Sequence, residues 1–176
     1  NRLPDAMSFA QGAAFQTAYM TAYVGLVVRG GIRAGEWVMV HGATGGVGMA
    51  AINGAYVAGA GRIIAVDTNP VKLQLATKMG ATDLVNPNDG DPVENVLEIT
   101  RGGVHHAIEC LGLKLTAEQS FRMLAIGGTA TIVGMVPLGE KIELDARHMA
   151  RERRIQGCSM GSNRFRVDMP RLVELY

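Results

Sequence analysis

Only two cysteines occur in the chain, Cys110 and Cys158, and they lack a Cys-x-x-Cys spacing. A disulfide framework is therefore excluded, and two buried thiols in a reducing compartment, the cytoplasm by default, are expected. An excess of one charge is also missing, because 17 Lys and Arg stand against 16 Asp and Glu, a net charge of +1. Neither nucleic acid nor an acidic membrane is expected as a partner. No run of about 18 apolar residues is present to span a bilayer, and no charged-then-apolar leader precedes the first helix. Repeats and low-complexity linkers are absent. What remains is 176 residues, 48% hydrophobic, enough to bury one sizeable core. The chain starts at Asn1 without an initiator methionine and stops at Tyr176 inside an apolar-periodic stretch, Met169 to Tyr176. Leu172, Val173 and Tyr176 there form a helix face awaiting a partner, so the expectation is a domain excised from a longer protein.

The most informative stretch is Val38-Met39-Val40-His41-Gly42-Ala43-Thr44-Gly45-Gly46-Val47-Gly48, followed by Arg62-Ile63-Ile64-Ala65-Val66-Asp67. An apolar run, a glycine-rich turn, an amphipathic stretch and a second apolar run ending in an acid make a dinucleotide-binding βαβ unit. Gly45 is expected to make the tight turn, Gly46 to leave room for a pyrophosphate, and Gly48 to let the helix pack on the strand. Free N–H groups at the helix start then face the phosphates. Asp67 lies 19 residues past Gly48, where a carboxylate accepts hydrogen bonds from both ribose hydroxyls and selects NAD over NADP. The pattern departs from the strict form: it reads Ala43-x-Gly45-x-x-Gly48 with Gly42 one place early, so the turn is expected to be one residue longer.

Strand and helix patterns alternate along the chain. Phe15 to Arg29 reads as a helix ended by Gly30-Gly31, Trp37 to Val40 as a strand, Val47 to Val57 as a helix, and Arg62 to Asp67 as a strand. Pro70 opens a helix that closes near Gly80, Asp83 to Val85 is a short strand, and Asp91-Pro92 caps a helix to Ile99. Val104 to Glu109, Lys114 to Leu124 and Thr129 to Val133 supply strand, helix and strand. Ile142 to Leu144 and Arg154 to Gly157 read as strands around a short helix. The expected fold is α/β, a doubly wound parallel sheet of the Rossmann type, with its ligand outside the carboxyl ends of the strands. Residues 1–36 would be the entry segment and first helix, 37–157 the core sheet, and 158–176 the start of a return to an absent catalytic domain. Arg147, Arg151, Arg153, Arg154, Arg164 and Arg166 interleave with Asp145, Glu152 and Asp168, a solvated or subunit-facing surface rather than a nucleic-acid stripe.

Thr21-Ala22-Tyr23, the stretch Gly35 to Gly48, Val66-Asp67 with Lys72, Lys78 to Thr82, Ala125-Ile126-Gly127-Gly128 and Ile132-Val133-Gly134 resemble the coenzyme-binding domain of the medium-chain dehydrogenase/reductase family, the alcohol dehydrogenases and quinone oxidoreductases. The likeness implies an NAD-dependent oxidoreductase that moves a hydride between nicotinamide and a small alcohol or carbonyl substrate. It assigns Thr44, Gly45, Gly46 and Gly48 to the pyrophosphate turn, Val47 to the back of the nicotinamide, and Thr21 to a nicotinamide-side position. Asp67 and Lys72 match adenosine-ribose contacts, Thr68 and Leu111 the adenine cleft, and Val133 and Cys158 the places where backbone groups hold the carboxamide. It further implies a homodimer or homotetramer paired through the open edge at Ile142 to Leu144 and Arg154 to Gly157.

One departure concerns zinc. In zinc alcohol dehydrogenases a cysteine four residues before the threonine matching Thr21 is a catalytic zinc ligand, and here that position is Thr17. A threonine hydroxyl is a poor zinc ligand. His105, His106 and His148 are the substitutes to consider, but adjacent histidines on a strand point to opposite faces. No metal ligand is therefore evident in this chain, and zinc in the full-length parent stays open. So do a zinc-independent quinone or enoyl reductase and a dinucleotide-binding protein without turnover.

Overall fold

A computed structural model describes residues 3–5, 7–159, 162 and 164–175. Tyr176, counted above in the C-terminal apolar face, lies outside the described residues, as does Asn1. The elements are α1 (Phe9–Tyr23), continued by a π-helical segment (Val24–Arg29), then β1 (Trp37–His41), α2 (Gly46–Val57), β2 (Arg62–Val66), α3 (Pro70–Lys78), β3 (Asp83–Val85), α4 (Pro92–Thr100), β4 (Val104–Glu109), α5 (Lys114–Arg122), β5 (Leu124–Ile132), α6 (Ala146–Met149), β6 (Arg154–Gly157) and α7 (Phe165–Glu174).

The six strands form one sheet in the order β3-β2-β1-β4-β5-β6, and every pairing is parallel. The central strands are largely buried on both faces, which is why residues 37–40 of β1 and 63–66 of β2 read as unbroken apolar runs rather than as alternation. On one face Val38, Val40, Ile63, Ala65 and Ile108 pack against Leu26, Ala51, Ala55, Leu73 and Ala76 of the π segment, α2 and α3. On the other, Met39, Ile64, Val66 and Ala107 pack against Val93, Val96 and Phe121 of α4 and α5. The chain winds outward from β1 to β3 and then returns to place β4 beside β1. Winding therefore reverses between β1 and β4, and the crevice opens at their carboxyl ends.

Four expectations are corrected. The first helix starts at Phe9, six residues before Phe15, because Ser8 and Gln11 form a reciprocal capping box: the Gln11 N–H donates to Ser8 Oγ at 3.2 Å and the Ser8 N–H to Gln11 Oε1 at 2.8 Å. Its last six residues are π-helical, with the Gly30 N–H donating to the Gly25 carbonyl five residues back. β5 begins at Leu124 instead of Thr129, since Leu124 pairs with Val104 before an irregularity restores register at His106 and Thr129. Ile142 to Leu144 is not a strand. β5 pairs directly with β6, leaving no free edge there, and the segment is held over α5 by side chains, the Glu143 N–H on Glu118 Oε1 at 2.8 Å and Lys114 on Glu143 at 3.2 Å. In the arginine-rich region Arg147, Arg151, Arg154, Arg164 and Arg166 are exposed, and two residues depart from a solvated surface. Arg153 is buried with Nη1 2.8 Å from His148 Nδ1, and Asp168 is buried, accepting from the Arg164 N–H.

Candidate dinucleotide site

The site grows from the turn between β1 and α2. Gly42 takes φ +67°, which a side chain rarely adopts, and the Gly45 N–H closes the turn on the Gly42 carbonyl at 3.1 Å. The tight turn thus belongs to Gly42. Gly45, expected to make it, has ordinary extended angles and serves as the N-cap of α2 without a side chain to satisfy the helix. A Cβ on Gly46 would meet nothing within 4 Å, so its face is open. A Cβ on Gly48 would strike the Gly42 carbonyl and come within 2.9 Å of Ala43, which is the close helix packing expected of it. By contrast α3, α4 and α6 are capped by Asn69, Asp91 and Asp145. The uncapped amides of α2 and the positive end of its dipole point to the reversal crevice, which suits a phosphate.

Asp67 follows β2 beside this turn. Its Oδ2 accepts the Thr44 N–H at 3.0 Å and its Oδ1 the Asn69 N–H at 3.1 Å. Thr44, the residue that lengthens the turn, therefore ties the turn to the acid. Thr68 and Lys72 are exposed next to it, and Lys72 gives its backbone N–H to the Asn69 side chain. Leu111 folds over Gly42, close enough that a Cβ there would lie 2.8 Å from Leu111 Cγ.

The other end gathers around the π segment. A Cβ on Gly25 would lie 2.9 Å from Val133 Cγ2 and 3.8 Å from Cys158 Sγ, so the wide π turn lays α1, with Thr21 one turn earlier, against the ends of β5 and β6. The Val133 N–H is bound to the Glu109 carbonyl at 2.8 Å and the Cys158 N–H to the Ile132 carbonyl at 2.9 Å. Both amides are used by the sheet, so the groups left to face a ligand are carbonyl oxygens. Val47 sits in the first turn of α2 between the two ends.

Burial pushes the Cys110 thiol well up, helped by Glu109 and Cys158, and burial likewise raises Cys158. Both are neutral thiols rather than nucleophiles. Two buried groups escaped the sequence reading. His41 ends β1, 2% exposed, with no partner for Nε2. Burial lowers its pKa to about 4, against a smaller pull from Asp67, so it is neutral at pH 7. Glu109 ends β4 fully buried. The available signal was a titratable residue closing a strand next to a glycine-containing loop.

The donors for zinc do not assemble here. Thr17 is exposed on α1. His105 Nδ1 accepts the Trp37 N–H at 3.0 Å, His106 Nε2 lies 2.8 Å from Glu36, and His148 is paired with Arg153. Burial and the Arg153 cation hold His148 below the usual imidazole range, which keeps it an acceptor. Among the described residues no group of three or more His, Cys, Asp or Glu is placed to hold a metal ion. Nor is any helix among them long and apolar enough to cross a membrane.

Residues 46–175 match the family model described as zinc-binding dehydrogenase. The chain belongs to this family. It is the coenzyme-binding region of a medium-chain dehydrogenase/reductase, and its all-parallel six-stranded sheet is the Rossmann-like sheet of that region. It is 38% identical over 146 residues to S-(hydroxymethyl)glutathione dehydrogenase of Synechocystis, covering 81% of this chain and 39% of that protein. Alcohol dehydrogenase 1 of Zea mays is 41% identical over 145 residues, 81% of this chain and 38% of that one. Among solved structures, an alcohol dehydrogenase zinc-binding domain protein from Burkholderia ambifaria superposes with a TM-score of 0.93 at 33% identity, covering 98% of this chain and 47% of that chain. Benzyl alcohol dehydrogenase from Acinetobacter calcoaceticus gives 0.89 at 30%, covering 99% and 48%. The chain thus spans about two-fifths of these curated relatives and about half of these solved neighbours.

Proposed function

We propose that this chain is the NAD(H)-binding part of an alcohol dehydrogenase-like oxidoreductase acting on a small alcohol or carbonyl compound. The observation that carries the proposal is Asp67, whose two oxygens are oriented by the Thr44 and Asn69 amides beside the uncapped start of α2. Each oxygen keeps a lone pair for a ribose hydroxyl, and a 2′-phosphate would bring like charges to about 4 Å, a repulsion of a few kcal/mol at moderate dielectric. The open face of Gly46 and the α2 amides fit a pyrophosphate, Leu111 and Thr68 flank the adenine, and the Val133 and Cys158 carbonyls accept from the carboxamide. Bound nicotinamide supplies or takes the hydride. This chain's residues would bind and orient it, Val47 at the back of the nicotinamide and Thr21 at a nicotinamide-side position. Titration of NADH and NADPH into the chain is expected to give a preference for NADH of at least about tenfold, from charge-assisted hydrogen bonds of roughly 1.5–3 kcal/mol, and Asp67→Ser is expected to erase it. Equal or tighter NADPH binding by the parent chain refutes the proposal.

Thr17 favours a second reading of the chemistry, a zinc-independent quinone or enoyl reductase. A longer protein that carries this domain decides between the two: oxidation of NADH by quinones or enones without stoichiometric zinc supports the reductase, and zinc-dependent alcohol oxidation the dehydrogenase. We further propose two-fold pairing of this chain through β6, the edge strand.

A further inference from the structure

We infer that Glu109 is a positioning residue for the dinucleotide, the group that holds the adenine-side and nicotinamide-side loops in one arrangement. The inference rests on the dinucleotide reading above and goes beyond it, because Glu109 itself is buried where no solvent reaches it. A buried carboxylate is costly unless donors surround it. Here the donors are all neutral and all come from the loop after β4 and the first turn of α5. Oε1 accepts the Leu111 N–H at 2.9 Å, the Gly112 N–H at 2.9 Å and the Thr116 hydroxyl at 2.7 Å, and Oε2 shares the Gly112 N–H at 3.1 Å. The carboxylate also lies at the N-terminal end of α5, where the helix dipole favours an anion.

The main chain of the same residue grips the neighbouring loop. The Glu109 carbonyl accepts the Val133 N–H at 2.8 Å and the Gly134 N–H at 3.0 Å. The two loops then touch with no room to spare: a Cβ on Gly112 would come within 2.6 Å of the Met135 carbonyl, and one on Gly134 would strike the Gly112 amide. Leu111, whose N–H is held by the carboxylate, rests on Gly42 of the glycine turn. Side chain and backbone of Glu109 together set Leu111 at one end of the crevice and Val133 at the other.

Glutamine cannot reproduce this arrangement. Whichever way its amide lies, an NH₂ replaces an oxygen that accepts the Gly112 N–H, and donor faces donor. Glu109→Gln keeps the volume and is expected to weaken NADH binding about tenfold, the loss of a charge-assisted hydrogen bond set, and to weaken AMP binding less, since AMP does not reach the Val133 end. Thr116→Val removes one donor and leaves the carboxylate in place, with an expected loss of about threefold to fivefold. Affinities are read by NADH fluorescence and by AMP competition, alongside circular dichroism melts that establish folding at the assay temperature. A role confined to stability would lower the melting midpoint and leave the affinities alone. Binding of NADH by folded Glu109→Gln within twofold of the parent overturns the inference. If that variant does not fold, unchanged binding by Thr116→Val overturns it instead. Failure of the parent chain to bind NADH sinks the dinucleotide reading itself, an outcome distinct from the other two.

Discussion

His41 sits behind the glycine turn with Nε2 unpartnered, and its depressed pKa of about 4 makes it a source of acid sensitivity. In the unfolded chain an imidazole takes up its proton near pH 6.5, whereas the folded chain refuses it until about pH 4. Between those values the unfolded state binds more protons, so stability falls as the pH falls, by up to about 3 kcal/mol at the lower end, and is unaffected above the window. His148, also depressed, adds a slope of the same sign, so the comparison must isolate His41. His41→Leu removes a buried polar atom that lacks a partner and is expected to fold at least as stably at pH 7. Urea midpoints measured from pH 7 to pH 4.5 should then decline less steeply than those of the parent; parallel curves would sink this account. Gly48 is the complementary case, where space rather than charge decides. Gly48→Ala drives a methyl into the Gly42 carbonyl, with an expected loss of about 1–3 kcal/mol from overpacking and of NADH affinity with it.

At the level of elements, α3 separates capping from binding. Asn69 Oδ1 accepts the Lys72 N–H at 3.0 Å while the Asn69 N–H holds Asp67. Asn69→Ala deletes only the first of these. It is expected to cost about 1 kcal/mol of stability, read as a lower melting temperature, while the preference for NADH over NADPH persists. Loss of that preference would mean that the side chain, not the backbone amide, positions the acid. Helices such as α3 and α4 were legible because Asn69-Pro70 and Asp91-Pro92 are local start signals that the folded chain uses as caps. The Ser8 and Gln11 box is equally local and marks a start that periodicity alone put at Phe15. The start of β5 was not legible. Ala125-Ile126-Gly127-Gly128 has the composition of a turn, and only pairing of Leu124 with Val104 draws it into the sheet, with Gly127 at φ +75° absorbing the irregularity. Ile142 to Leu144 failed for the opposite reason: its alternation suits a strand, but β5 pairs directly with β6 and the segment is tied to α5 by side chains instead.

For the whole molecule, the sheet ends at β3 on one side and β6 on the other. β3 has three residues, while β6 has four with Arg154 and Gly157 exposed. An unpaired strand edge is a template for another chain, and β6 is the side on which the expected pairing falls. Light scattering at tens of micromolar is expected to give a dimer mass, and Ile155→Pro, which removes a backbone donor within β6, should shift it toward the monomer; a monomer from the parent chain counts against pairing. The family, the parallel α/β class, the glycine turn and the acid of the candidate dinucleotide site were legible in the sequence alone, since each is a local pattern with a local physical cause. Periodicity reports burial, glycine reports backbone room, and an acid at a strand end reports a charge that must meet a donor. Tertiary structure alone decided that Gly42 rather than Gly45 makes the turn, that Thr44 orients Asp67, and that Glu109 ties two loops together. Those depend on which strands lie side by side, and that neighbourhood is set by packing between residues far apart along the chain.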